Sequence, residues 1–361
     1  MKWLILLLLV PMVAVPPRAR AATPQAQAQA QDIHQQNLDA YLRYIEDHNA
    51  GRGSVSVFRQ GQPIYMRSFG QPQDAVPAPS PDTPYPIASV TKMITAILTF
   101  RLIERNDLHL EDKLSTYVEN IPQGETITIG QMLQHTSGLG NFAIRNGAIW
   151  VTEPVSQAQI LQEIRRQGVA FAPGSRTAYS NSAYYLLRLV LEQKYGRPYH
   201  QIVQEEIATP LGLKHFTAAL ATQGATFTSH TFVGHWQPIK DIDYRNVIGV
   251  GDIASTTNDL NTVVSALFQH RLLRAETVAM MLPVGGHDGW GMGLAAFPIG
   301  QHAFLGHGGD VLGAHARVVY NPADGIAIAY ATNGERIATN TFLETIVGIV
   351  YGAPLRMPTL K

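Results

Sequence analysis

Strand-forming sequence lies at the two ends of this chain, and a long helix-forming stretch lies between them. Near the start, Val55 and Val57 alternate with serines, the turn Gln60-Gly61-Gln62-Pro63 follows, and Ile64-Tyr65-Met66 resumes, which predicts a β-hairpin. Near the end, Ala314 to Tyr320 and Ile326 to Ala331 flank the turn Asn321-Pro322-Ala323-Asp324-Gly325. From about 90 to 240 the apolar residues recur at helical spacing instead, as in Val90, Met93, Ile94, Ile97, Leu98 and later Leu186, Leu187, Val190, Leu191. Leu38, Tyr41, Leu42 and Ile45 predict a helix before the first hairpin, and Phe342, Ile346, Ile349 and Val350 predict a closing one. The fold class is therefore α/β (α+β). The two ends, 32–88 and about 241–361, supply an antiparallel β-sheet flanked by helices, and about 89–240 is an inserted all-helical domain.

The N-terminus reads as an address rather than as structure. Lys2 precedes an apolar run from Trp3 to Val15, and Ala19-Arg20-Ala21 supplies small residues at a cleavage site, so 1–21 is expected to be a secretory signal peptide. The Ala/Gln-rich stretch 22–31 is expected to be a flexible leader, and the protein to be exported to the periplasm or secreted. After cleavage no membrane span remains, because the apolar run is shorter than the roughly 20 residues a spanning helix needs. Hydrophobic residues make up 45% of the chain, enough for a substantial core. Lys plus Arg and Asp plus Glu both number 27, which gives nucleic acid no electrostatic hold. The expected partner is a small-molecule or peptide substrate, met by a monomer. The absence of cysteine excludes disulfides, lipid attachment at a cysteine, thiol nucleophiles and Cys-ligated zinc. The 13 histidines include no His-Glu-x-x-His pair, so neither metal nor other cofactor is expected.

Ser89-Val90-Thr91-Lys92 opens one of the helical stripes. Three residues is nearly one helical turn, which puts the Ser hydroxyl and the Lys amine on one face. A serine needs a base to become a nucleophile, and a lysine desolvated in a pocket loses its proton easily enough to serve. Backbone N–H groups of the first helical turn can stabilise a developing oxyanion. The same spacing also fits a capping serine beside a solvated lysine, but Ser89 is the only serine followed three places later by Lys. No Gly-x-Ser-x-Gly elbow competes for the nucleophile.

Two further segments converge on the same chemistry. Tyr179-Ser180-Asn181 stands between the turn at Pro173-Gly174 and an apolar helix, offering a phenol that can relay a proton and an amide that can bind one. Asn181 also fits a helix cap. His307-Gly308-Gly309 opens the C-terminal strands, where two glycines let a substrate lie against backbone. Tyr244-Arg245-Asn246 and His287-Asp288-Gly289 match the same two patterns but lack this context. Three Gly-x-Gly-x-x-Ala matches, beginning at Gly138, Gly249 and Gly291, lack the β-α-β setting of a dinucleotide site. His135 reads as structural.

In this order the segments resemble the serine β-lactamase and penicillin-binding superfamily, in the branch that holds class C β-lactamases, D-Ala-D-Ala carboxypeptidases and related esterases. The likeness extends through Ile127 to Leu139, Pro210-Leu211-Gly212-Leu213 and Gly249 to Thr256. It implies a β-lactamase/transpeptidase-like fold and a serine hydrolase that forms an acyl-enzyme with an amide, ester or β-lactam. Ser89 would be the nucleophile, Lys92 the base and Tyr179 the proton relay. Asn181, His307, Gly308 and Gly309 would bind substrate, and the backbone N–H groups of Ser89 and Asp310 would form the oxyanion hole. His307 stands where β-lactamases of this branch resemble Lys-Thr-Gly, which favours peptidase or esterase activity over β-lactam hydrolysis. With an ordinary imidazole pKa of about 6.5, His307 would attract a substrate carboxylate only when protonated. The alternative is a non-turnover penicillin-binding or cell-wall-peptide sensor.

Overall fold

The computed structural model describes residues 24–72, 78–218, 228–239 and 242–360, with side chains from His34 onward. The expected signal peptide lies outside these residues. Helix α1 runs Pro24–Asp47, so the stretch expected to be a flexible leader is helical from Pro24. Alanine and glutamine are good helix formers, and the run continues without a breaker into the stripe Leu38, Tyr41, Leu42 and Ile45, whose burial anchors the whole segment.

Six antiparallel strands form the main sheet: β1 (Gly51–Arg59), β2 (Gln62–Phe69), β3 (Ala295–Ile299), β4 (His302–Val311), β5 (Ala314–Asn321) and β6 (Ile326–Glu335). Their order across the sheet is β3-β4-β5-β6-β1-β2. The two ends of the chain thus meet in the middle of the sheet, where β1 pairs with β6 and Val55 and Val57 stand opposite Tyr330 and Ile328. Both strands are buried along nearly their whole length, which explains their run of Val, Ile and Ala.

Helix α1 covers one face of the sheet together with the closing helix, Thr339–Val350. Tyr41, Phe69, Tyr330 and Phe342 meet there, with the Tyr330 and Phe342 rings 4.8 Å apart. Burying a side chain such as Phe342 is worth about 1.5–3 kcal/mol. The other face carries the helix Thr257–Phe268, from which Asn261 donates to the Ser56 carbonyl at 3.0 Å.

The inserted segment packs helices around α2, Thr91–Glu104, whose residues from Thr91 to Phe100 are all buried. A helix buried all round cannot be amphipathic, and from Thr91 to Phe100 its sequence is apolar or threonine except at Lys92, with Arg101 and Glu104 only in the last turn. Thr95 donates to the Gly249 carbonyl at 2.6 Å, tying α2 to the chain on its far side. In the Ile127 to Leu139 landmark, Thr128 accepts from the Gln131 N–H at 3.1 Å and Gln131 accepts from the Thr128 N–H at 3.0 Å, a reciprocal cap on Ile129–Leu133. Two short hairpins also lie in this segment, Ile144–Arg145 with Ala148–Ile149 and His230–Phe232 with Trp236–Pro238. Asn146 and Gly147 turn the first of them, both at positive φ, as a tight Asn-Gly turn requires. Among the described residues no helix is long and apolar enough to cross a membrane.

Candidate active site

Ser89 sits in a single 3-10 turn, Ala88–Val90, that runs directly into α2. Ala88 holds a φ of 46°, a conformation that costs a non-glycine residue about 1–2 kcal/mol and lifts the next residue out of the helix line. Strand β4 is pressed against this turn. A Cβ placed on Gly309 would lie 2.1 Å from the Ile87 carbonyl oxygen and 2.8 Å from the Ser89 nitrogen, so glycine is what lets the strand come this close.

One turn after Ser89, at the start of α2, Lys92 is fully buried, with Nζ 3.0 Å from Ser89 Oγ and 3.0 Å from the Val250 carbonyl oxygen. Burial holds its pKa well below the usual lysine value. Nζ donates to both oxygens, and once it gives up a proton, as its burial favours, it keeps an N–H for the Val250 carbonyl and turns its lone pair to the Ser89 hydroxyl. The Tyr179 ring lies beside this amine, its centroid 4.9 Å from Lys92 Nζ. Burial raises the Tyr179 pKa, partly countered by its contact with the Ser89 hydroxyl, so the phenol keeps its proton at neutral pH.

Asn181 begins the helix Asn181–Tyr195, but the cap is Ser180, whose hydroxyl accepts from the Ala183 N–H at 3.0 Å. Asn181 is thereby left to face the site. Its Nδ2 donates at 3.0 Å to Asn141 Oδ1, which also accepts from the Ala143 N–H, so Asn181 Oδ1 is the atom left unpartnered. It is a free acceptor at the cavity wall. His307 on β4 is 1% exposed. Its Nδ1 lies 2.6 Å from the Gly308 carbonyl oxygen, which can only accept, so the proton is on Nδ1 and the unpartnered Nε2 is an acceptor. Burial, with Lys92 close by, pushes the His307 pKa down to about 3. An imidazole titrating near 6.5, the value expected from the sequence, is displaced chiefly because the ring is out of water, which disfavours its protonated form.

These positions, one after another along the chain, are the landmarks of a known fold. The family model described as Beta-lactamase matches residues 35–345. The chain belongs to the beta-lactamase family. Its relatives include a Bacillus subtilis protein named PbpX, 26% identical over 277 residues that cover 76% of this chain and 67% of that one. Another is the D-alanyl-D-alanine-carboxypeptidase/endopeptidase AmpH of Escherichia coli, 29% identical over 62% of this chain and 59% of AmpH. The chain thus spans about three-fifths to two-thirds of these relatives. Among solved structures, the D-amino acid amidase from Ochrobactrum anthropi complexed with D-phenylalanine superposes with a TM-score of 0.76, at 19% identity, over 88% of this chain and all of that one. At that identity the likeness establishes the fold, a β-lactamase/transpeptidase fold.

Two cavities open beside Ser89. One, of about 540 Å³, is bounded by Ser89, Tyr179, Asn181, Trp290, His307 and Asp310, among others. The second, of about 330 Å³, shares Ser89, Asn181 and Asp310 and is otherwise mainly apolar. The sequence-derived residues therefore converge, including Gly308 in the larger cavity. Four contributors escaped notice. Val250 acts through its backbone, which no side-chain pattern reveals. Asn141 orients Asn181 from within the discounted Gly138 match, and Asp252 accepts from the Gly249 N–H at 2.8 Å in the loop that carries Val250. Trp290 follows the discounted His287-Asp288-Gly289, of which Asp288 and Gly289 line the larger cavity. Its ring centroid is 5.1 Å from Tyr179, 5.2 Å from His135 and 5.6 Å from His307. His135 accepts the Ser180 N–H at Nδ1, 3.1 Å, and its ring packs 4.5 Å from Tyr179, so it holds the Tyr179 segment. The other decoy, Tyr244-Arg245-Asn246, is structural, with Asn246 donating to the Val151 and Glu153 carbonyls.

Proposed function

We propose that this chain is a serine hydrolase that cleaves amides or esters through an acyl-enzyme on Ser89. The supporting observation is a single contact: the fully buried Lys92 amine, whose pKa burial holds well below the usual lysine value, lies 3.0 Å from the Ser89 hydroxyl. Ser89 Oγ attacks the substrate carbonyl while its proton passes to Lys92. The carbonyl oxygen takes up charge against the backbone N–H groups of Ser89 and Asp310. Tyr179, which keeps its proton, hands it to the departing nitrogen or oxygen and is resupplied from Lys92. The acyl-enzyme then forms as the leaving group departs, and water releases the acid with the same groups in reverse order.

The third-motif wall favours substrates without a carboxylate at that point. His307 Nε2 presents an acceptor, and Arg317, which also lines the larger cavity, already donates to both Asp310 carboxylate oxygens at 3.0 and 3.1 Å. A carboxylate arriving beside His307 would meet the Nε2 lone pair and the Asp310 charge, with the Arg317 guanidinium already engaged by Asp310. The relative AmpH is named a carboxypeptidase, and this wall argues for a neutral or amine-bearing partner instead. Export to the periplasm or medium belongs to the same proposal and rests on 1–21 alone.

Intact-mass measurement with a fluorophosphonate, a penicillin and a short-chain ester tests the function. A phosphonyl adduct on Ser89 and rapid turnover of the ester support it. A penicilloyl or acyl adduct that persists for hours makes the protein a sensor, and no adduct with any reagent ends the serine mechanism. A mature protein that begins at Ala22 supports export, and an intact Met1 argues against it.

A further inference from the structure

The smaller cavity beside Ser89 has a polar end and an apolar end. Asn141, Asn181 and Asp310 stand near the nucleophile, and beyond them the walls are Ala143, Ile144, Ile149, Ile242, Val247 and Leu312. Ile144 and Ile149 face each other across the short hairpin turned by Asn146-Gly147, and they are 37% and 43% exposed. They are two of only seven exposed large apolar side chains among the described residues, and both stand on this one cavity. Apolar groups left in water at the mouth of a chamber are covered when the chamber is filled. The hairpin is anchored rather than loose. Trp150 donates to the Phe142 carbonyl, and Asn246 holds the Val151 and Glu153 carbonyls at 2.9 and 2.7 Å.

The polar end fixes what enters. Ser89 is common to both cavities, and Asn181 Oδ1 awaits an N–H on the acyl half of the substrate. A substrate carbonyl seated on Ser89 has its leaving group on one side and its acyl substituent on the other. The wall of His307, Asp310 and Trp290 bounds the larger cavity, which leaves the apolar chamber for the acyl substituent.

We propose that this chamber receives an apolar side chain of the acyl group, of the size of a leucine or phenylalanine side chain, and that the Ile144–Ile149 hairpin sets acyl specificity. The inference rests on acylation at Ser89. Its volume of about 330 Å³ admits a branched aliphatic or a phenyl group with room to spare. Each buried methylene should raise kcat/KM by about fourfold until the chamber is full.

The test compares kcat/KM for p-nitrophenyl acetate and p-nitrophenyl hexanoate, with Ser89 occupancy followed by fluorophosphonate labelling. The native protein should prefer the hexanoyl ester by at least about tenfold. Ala143→Phe and Leu312→Trp, each confirmed as folded by its thermal melt, should cut that preference by about tenfold by filling the chamber from two sides. A native protein that labels at Ser89 but shows no preference, or folded variants that both keep it, would overturn the chamber and leave the serine mechanism standing. Failure of the native protein to label at Ser89 overturns both.

Discussion

His307 donates through Nδ1 to the carbonyl of Gly308, its own neighbour, at 2.6 Å. The bond fixes the tautomer and turns the third motif from a donor into an acceptor. With the pKa pushed down to about 3 by burial and by Lys92, the ring stays neutral throughout the usual assay range. The ratio of kcat/KM for a carboxylate-bearing substrate to that for a neutral ester should therefore be flat from about pH 5 to 8, because the titrations of Lys92 and Tyr179 cancel in it. A ratio that falls as pH rises through 6 to 7 would restore a titrating His307 and with it a carboxylate site.

The Ser89–Lys92 pair makes a sharper demand. Ser89→Ala should abolish fluorophosphonate labelling in a protein that melts like the native one. Lys92→Arg keeps a nitrogen near Ser89 but cannot lose its proton, so the acylation rate should drop by at least about 10²-fold, the low end of a general base's contribution. A loss of tenfold or less in stopped-flow acylation would assign the proton to another group. Since burial holds the native lysine pKa down, the rise of activity with pH should come well below the range where an exposed lysine deprotonates.

Stability carries the same signature. His307 is neutral in the folded chain down to about pH 3, while the unfolded chain binds a proton there below about 6.5. Between those values the unfolded state holds more protons, so stability is full above pH 6.5 and falls as pH drops. The contribution reaches about 2 kcal/mol at pH 5. Asp252, whose pKa burial raises to about 7, works in the opposite sense, so the total pH profile mixes both. The difference between native and His307→Asn protein isolates the histidine. From pH 7.5 to pH 5 the change in unfolding free energy from urea titration should be about 2 kcal/mol more negative in the native protein than in the variant, and an equal change in both would show that His307 takes up its proton alike in the folded and unfolded chain.

Much of this was legible in the sequence because it is local. The hairpins at both ends, α2 and the closing helix follow from period and turn chemistry, and Ser89 and Lys92 from one helical turn. What joins distant segments was not legible. No period in β1 or β6 says that Val55 pairs with Tyr330, and Val250 reaches Lys92 through a carbonyl that every residue possesses. Asn141 sits within a chance motif match and Trp290 between two of them, so neither carried a pattern of its own. The charge state of His307 was misjudged for a related reason: burial is a property of the whole fold, and a histidine after a glycine carries no mark of it.

Adjacent glycines on β4 separate two reasons for lacking a side chain. At Gly309 an added Cβ would strike backbone, 2.1 Å from the Ile87 carbonyl oxygen and 2.8 Å from the Ser89 nitrogen. Neither atom can move without shifting the nucleophile turn, so Gly309→Ala should push β4 off Ser89 and pull apart the two N–H groups proposed to bind the oxyanion. Removing one such donor costs about 10²–10³ in kcat, and a loss in that range is expected here with KM changed far less. At Gly308 the added Cβ would meet the Arg317 side chain, at 2.9 Å from Nε. A guanidinium on a flexible stem can shift by a few tenths of an ångström at the expense of its bonds to Asp310, so Gly308→Ala should lose no more than about tenfold in kcat. Steady-state kinetics on one neutral ester decides the matter. Equal losses at the two positions, or a larger loss at Gly308, would mean that the closeness of β4 to Ser89 is not what the glycines provide.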